Sequence, residues 1–181
     1  MWHPLLTFSP TALGWLFVVL LIGTVVLFLR LETLGRRLKN SVAPLGIVSL
    51  DMSLTSRESE LIIESWDDEA REDARRHLCL DFFFIPVYTT ALAILGIMSS
   101  RWFADKGLTG LSSLCMWLAW GQWVAGLFDF AGTSTLLRIL QMYPDIPDRL
   151  PSLAGWCSRA KFFLILAALI FSLFGLVTSL A

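Results

Sequence analysis

The sequence predicts an all-α integral membrane protein, a four-helix bundle with a cytoplasmic amphipathic helix between spans 1 and 2. Of its 181 residues, 56% are hydrophobic, and the mean hydropathy is +0.68, a composition that soluble domains rarely have. A helix needs about 20 apolar residues to cross a bilayer. Four stretches of that kind lie near residues 11–29, 78–99, 109–130 and 160–180. We therefore expect one membrane domain over residues 1–181.

The first span, residues 11–29, is followed at once by basic residues and then by a connector, residues 30–77. The apolar run is long and lacks a basic leader, so it does not resemble a cleavable signal peptide. The connector is the one sizeable water-exposed segment that the sequence predicts. Within it, Ser49–Leu54 alternates polar and apolar residues, which predicts a short extended piece at the membrane interface.

A short helix is predicted to follow in the connector. Thr55-Ser56-Arg57-Glu58 is a capping-box pattern, in which the first and last side chains cap a helix N-terminus. Leu61, Ile62 and Trp66 then give the helix an apolar stripe. The pattern fits an amphipathic helix that lies on the membrane surface, or one that docks on a partner protein.

The second span carries polar residues near the point where it enters the membrane. Asp81 and Tyr88 are seven residues apart and share one face of a helix, and His77 lies on that face four residues earlier. Pro86 cannot donate to the carbonyl of Phe82, which bends a helix and frees an acceptor. The segment has two interpretations. It forms a polar site that faces the bundle interior, or its acid is hydrated at the membrane interface and its proline kink serves only packing.

The third span has two contrasting faces. Gln122 and Asp129 lie on one side with small residues, and Trp117, Trp120 and Trp123 lie on roughly the opposite side. Small and polar residues usually face neighbouring helices in a membrane. We therefore expect the glutamine and the acid to point inward. The tryptophans then face lipid, or dock another subunit or a hydrophobic cofactor.

The fourth span is predicted to begin near Arg159 and Lys161, after a proline-containing turn at 143–151. Its small residues fall on one stripe, which favours close helix packing. They are Ala168, Ser172, Gly175 and Ser179.

The distribution of basic residues predicts the orientation. The two loops at 30–76 and 131–161 carry twelve Lys and Arg, against two in the connection at 101–108. The excess places the long loops in the cytoplasm and both termini outside. Asp81 and Asp129 then lie at the same membrane face and at similar depth. These two acids, with Tyr88, Gln122 and His77, form the predicted buried polar site.

Two short runs carry a resemblance to a known group. LDFFFIPVY at 80–88 and LFDFAGTSTLL at 127–137 resemble runs in small four-span bacterial membrane proteins, which have an Asp-Phe-x-Phe-x-x-x-Tyr run and a later Asp-x-x-Glu-Asn run. The segment at 46–66 resembles their cytoplasmic connector. This chain has Gly132-Thr133 where those proteins have Glu-Asn. The resemblance implies the four-span topology, in a bacterial inner membrane, and no particular reaction.

Three classes of function fit these features. The first is a structural or accessory subunit, or an assembly factor, whose partners are membrane lipid and other membrane subunits or further copies of the chain. The second is a proton-linked transporter or carrier that uses Asp81 and Asp129, because two neighbouring carboxylates raise one pKa. The third is a membrane enzyme or metalloprotein. The sequence favours the first, because it has no nucleophile-base pair, phosphate loop or HExxH motif.

No cofactor or metal is assigned from the sequence. His77, Asp81 and Asp129 offer an imidazole and two carboxylates, a set that some metals accept. A haem held by two histidines is disfavoured, because His3 and His77 belong to opposite membrane faces. The three cysteines have no metal-ligand spacing. The net charge of −1 gives no basic footprint for nucleic acid.

Overall fold

The computed structural model describes the backbone of residues 3–180, and the side chains of that range except those of residues 173 and 175–180. Within this part of the chain the regular structure is entirely helical. The α-helices are α1 (Pro10–Gly35), α2 (Ile47–Asp51), α3 (Ser56–Glu64), α4 (Asp68–Asp105), α5 (Thr109–Met142) and α6 (Arg149–Leu180). Two 3₁₀ turns cover Pro4–Thr7 and Arg36–Leu38.

Four of these helices are long and apolar enough to cross a membrane, namely α1, α4, α5 and α6. The prediction of four spans is confirmed at that level. α6 begins at Arg149, earlier than predicted. Pro151, which was predicted to mark a separate turn, lies in the first turn of this helix. A proline is tolerated there, since the first N–H groups of a helix have no partner within the helix.

α4 is continuous for 38 residues and contains Pro86. Its start is fixed by Asp67, whose carboxylate accepts the backbone N–H of Ala70 at 2.7 Å, an N-cap bond. Asp68 and Glu69 occupy its first turn, where negative charge is favourable. One helix therefore runs from the charged connector into the apolar second span.

The chain divides into two compact units. Unit 1 holds the residues up to 24, residues 86–126 and those from 161 onward. Unit 2 holds residues 25–85 and 127–160. Each unit has its own apolar core, and the two cores are described separately.

Unit 2 is built around the connector. Leu50, Ile63 and Trp66 are at most 2% exposed and pack with Ile139 of α5 and Ala154 of α6. The indole Nε1 of Trp66 donates to the carbonyl of Leu38 at 2.9 Å. Several apolar residues of the connector are therefore buried within the chain itself.

The short elements of the connector are partly as predicted. Thr55 caps α3 by accepting the N–H of Glu58 at 3.2 Å, and the Glu58 carboxylate accepts the N–H of Leu54 at 2.9 Å. The predicted extended piece is wrong, because Ile47–Asp51 is a helix. Gly46, at φ 62°, begins that helix in a backbone conformation that a side chain would strain.

Only one residue of the apolar stripe predicted on α3 is exposed at the surface of unit 2. Ile62 and Trp66 are buried in the unit 2 core, and Leu61 is exposed. The stripe is used mainly for packing within the chain.

Unit 1 packs α1, α4 and α5 around small and aliphatic residues. Leu13, Ile94, Ile97 and Ala119 have no exposed surface. Gly96 lies against Ala119, and a Cβ added at Gly96 would be 3.2 Å from the alanine Cβ. Helices with small residues at their contacts approach closely in this way.

Candidate functional site

Asp81 reaches across from α4 to α5 within unit 2. The hydroxyl of Thr133 donates to the Asp81 carboxylate at 2.8 Å. Thr133 lies one helical turn after Asp129, and residues four apart share a helix face. Asp129 is 4% exposed and Thr133 is buried as well. Asp81 therefore approaches the face of α5 from which Asp129 projects.

A third carboxylate, Asp51, approaches the same segment of α5. Its side chain accepts the hydroxyl of Ser158 on α6 at 2.7 Å, and it is 6% exposed. It also lies beside Gly132, where an added Cβ would be 3.8 Å from the carboxylate oxygen. Gly132 directly precedes Thr133. Asp51 and Asp81 thus approach consecutive residues of α5.

Close backbone packing holds Asp51 in this place. A Cβ added at Gly155 of α6 would be 2.9 Å from the carbonyl oxygen of Ser53 and 2.8 Å from the side chain of Leu54. Gly155 and Ser158 are three residues apart and share a helix face. The connector therefore contacts one face of α6 through both its backbone and the Asp51 carboxylate.

Asp51 was not predicted as a site residue, because it lies in a segment whose alternating pattern predicts an extended piece at the membrane interface. The signal that was present is a lone acid among mostly apolar residues, IVSLDMSL. An acid in such a setting needs hydrogen-bond donors if it is buried. The donor is 107 residues away in sequence, so the sequence alone does not identify it.

His77 lies in unit 2, one helical turn before Asp81 on α4. Its imidazole packs beside Gly35 at the end of α1, at about 3.7 Å from the position of an added Cβ. Its buried Nδ1 has no hydrogen-bond partner among the described residues. His77 therefore contacts α1, whereas Asp81 contacts α5. In the described part of the chain, no three His, Cys, Asp or Glu side chains are grouped so that they could hold a metal ion.

Gln122 and Tyr88 belong to unit 1. The Gln122 amide is fully buried, and its Nε2 donates to the carbonyls of Leu118 at 3.3 Å and Leu164 at 3.1 Å. The second bond joins α5 to α6, and polar side chains often join helices in this way in membranes. Tyr88 is buried, with 8% of its surface exposed.

The three tryptophans of α5 have different surroundings. Trp117 is 65% exposed. Trp120 and Trp123 are partly buried, and their rings contact the imidazole of His3 with centroid distances of 4.7 and 4.8 Å. Part of each of these two indoles is therefore covered by the N-terminal segment of the same chain. The sequence does not predict this contact between His3 and the two indoles.

The predicted small-residue stripe of α6 is seen in part. Ala168 and Ser172 are buried. The side chains at Gly175 and Ser179 lie outside the described residues.

The fold and these buried polar groups define a class, that of an all-helical, multi-pass membrane protein. Comparison of the chain with protein-family models, curated proteins and solved structures finds no match.

Proposed function

We propose that this protein is a structural or accessory subunit, or an assembly factor, of a larger membrane complex. The observation that carries the proposal is a rigid loop of unit 2 that presents apolar side chains. Val42 is 49% exposed and Leu45 is 59% exposed. Both lie more than ten residues beyond the predicted end of the first span.

The loop is held in place by its own hydrogen bonds. The Asn40 side-chain oxygen accepts the N–H groups of Val42 at 2.9 Å and Ala43 at 2.7 Å. The Asn40 amide donates to Ser65 at 2.9 Å, and the Leu45 N–H donates to Ser49 at 3.0 Å. A surface that is ordered before binding loses less conformational freedom when a partner docks. An ordered apolar loop outside the predicted spans is therefore suited to contact with another protein.

The orientation is part of the same proposal. The connector and α3 lie in the cytoplasm of a bacterial cell, and both termini lie outside the inner membrane. The excess of Lys and Arg in the two long loops supports this. Cysteine labelling with a membrane-impermeant reagent tests it, with a cysteine introduced at Val42 expected to react only after the membrane is opened.

Native mass spectrometry of the tagged protein in mild detergent tests the function. A stoichiometric partner is expected, and a Val42→Ser, Leu45→Ser double variant should lose it. Leu61→Ser is the matched control, because Leu61 is an exposed leucine of the same unit. A lone monomer or a homo-oligomer in the wild type would refute the proposal.

A second function, a proton-linked carrier, is favoured by the buried acids. Asp129 is almost fully buried and Asp81 reaches the same face of α5. Acidic side chains inside a helical membrane bundle are groups that a proton pathway can use. Proton flux into liposomes that contain the purified protein tests this function. It should fall in Asp81→Asn and in Asp129→Asn, and flux that is absent in the wild type would exclude it.

A further inference from the structure

The N-terminal turn of unit 1 is fixed by a histidine. His3 caps the 3₁₀ turn Pro4–Thr7, and its Nδ1 accepts the backbone N–H of Leu5 at 3.2 Å. A neutral imidazole has one acceptor nitrogen and one donor nitrogen. Because Nδ1 is the acceptor, the proton of the neutral ring is on Nε2.

This imidazole is enclosed by other groups of unit 1. His3 has no exposed surface, and its ring lies against both Trp120 and Trp123. Within the part of the chain that the structure describes, the buried Nε2 has no hydrogen-bond partner. Leu5 is buried beside it in a core that α1, α4 and α5 form, and Leu6 packs against the same core. The turn therefore docks on these helices through its leucines and the neutral imidazole.

Protonation of His3 would act directly on this arrangement. A second proton can add only at Nδ1, the atom that accepts the Leu5 N–H. The capping bond would be lost, and a charge would be buried in an apolar setting. Burial accordingly lowers the pKa of the His3 imidazole from its ordinary value.

The helices packed against the turn contribute no charge to this effect. Their core residues beside it are Ala93, Ile94, Ile97, Met116 and Ala119. The titratable side chains of α4 and α5 within unit 1 are Tyr88, Arg101, Asp105 and Cys115. Burial is the cause of the lowered pKa, with no contribution from these groups.

We propose that residues 3–8 form an acid-released strap, which neutral His3 holds on α4 and α5 and which protonated His3 lets go. Release would uncover the apolar surface that Leu5 occupies between the two helices. The strap would thus open or close one part of unit 1 according to the pH on its side of the membrane. This inference does not depend on the proposed function.

One physical effect opposes release. A protonated imidazole beside two indoles gains cation–π attraction. The two rings are tilted by 56° and 47° to the imidazole, and the same protonation removes the capping bond. If the cation–π attraction were the larger effect, acid would hold the strap more firmly on the helices. The direction in which the mobility of the strap changes with pH therefore decides between release and stronger docking.

A spin label at Phe8 measures the strap directly. Phe8 is 48% exposed, so a Phe8→Cys label should be tolerated. Cys79 is the one exposed native cysteine of the described chain, and Cys79→Ser removes competing labelling. The mobility of the label is measured by EPR in detergent at pH 7.5 and at pH 5.5.

The mobile fraction should rise at pH 5.5. The ratio of released to docked strap changes about tenfold for each unit by which the pKa of docked His3 lies below its free value, once the pH falls through that range. His3→Asn keeps a capping acceptor without a titratable ring, so its label should be equally immobile at both pH values. His77→Gln should behave as the wild type, which assigns the change to His3.

Three results would overturn the proposal. They are a label whose mobility does not change with pH in the wild type, a label that becomes less mobile in acid, and an equal gain of mobility in His3→Asn. His3→Lys adds a fixed charge at the same place and should free the label at pH 7.5. If that variant does not fold, the comparison of wild type with His3→Asn still decides.

Discussion

Gly155 is the position where a single methyl group should most clearly disturb the fold. A Cβ there would be 2.9 Å from the carbonyl oxygen of Ser53 and 2.8 Å from the side chain of Leu54. The leucine can turn away, but the carbonyl belongs to the backbone of the connector. Gly155→Ala should therefore push the connector away from α6.

The expected size follows from two opposing effects. Alanine in a helix interior is favoured over glycine by about 1 kcal/mol. Extra methyl groups in a tightly packed region cost about 1–3 kcal/mol. Gly132→Ala is the matched control, since its Cβ would meet Cys157 at an ordinary 3.5 Å. The control should gain stability, and Gly155→Ala should be about 1–3 kcal/mol less stable than the control.

Thermal unfolding followed by circular dichroism in mild detergent measures this difference. At about 2–4 °C per kcal/mol for a chain of this size, the midpoint of Gly155→Ala should lie about 2–12 °C below that of Gly132→Ala. Leu54→Ala combined with Gly155→Ala should recover only part of the loss, because the contact with the Ser53 carbonyl remains. Equal midpoints for the two glycine variants would refute the close contact between the connector and α6.

Three other predictions rest on single contacts. Trp66→Phe removes the hydrogen bond to the Leu38 carbonyl and leaves that acceptor buried, so the free energy of unfolding should fall by about 1–3 kcal/mol in detergent. A double-mutant cycle with Asp81→Asn and Thr133→Val should show a coupling of about 0.5–3 kcal/mol, and a coupling near zero would mean that the bond contributes nothing. The lowered pKa of His3 predicts stability that is full above the free histidine pKa of about 6.5 and falls as the pH decreases below it. Unfolding midpoints at several pH values test this, and His3→Asn should remove that part of the pH dependence.

The long helices were predictable because their signals are local. Apolar runs mark α1, α4, α5 and α6, and Thr55 with Glu58 marks the start of α3. The short helix α2 was not predictable, since its last three residues belong to the alternating run Ser49–Leu54, which favours an extended strand. Its residues Ile47 and Leu50 are buried in the unit 2 core, and tertiary packing of this kind overrides a local pattern.

The residues of the candidate site were also predictable only in part. Helical periodicity put Asp129 on the inward face of the third span, and the structure adds that Asp81 bonds to Thr133 on α5. Asp51 could not be found, because its partner Ser158 is remote in the sequence. The segment at His3 did carry a local signal, since Pro4 directly after it is a residue type common at the first position of a helix. That signal predicts a capped turn, but it does not predict that the imidazole is enclosed by Trp120 and Trp123.

The contact between the connector and α6 has a consequence for unit 2 as a whole. Ser158 and Gly155 lie on one face of α6, and they supply a hydroxyl donor for Asp51 and the space for the backbone at Ser53. If α6 were shifted by one residue, the donor would be lost and a side chain would be placed against the Ser53 carbonyl. A buried carboxylate that loses its donor is strongly unfavourable. Asp51 therefore acts with Gly155 to fix the register of α6 against the connector, and this gives a structural reason for an acid in an otherwise apolar segment.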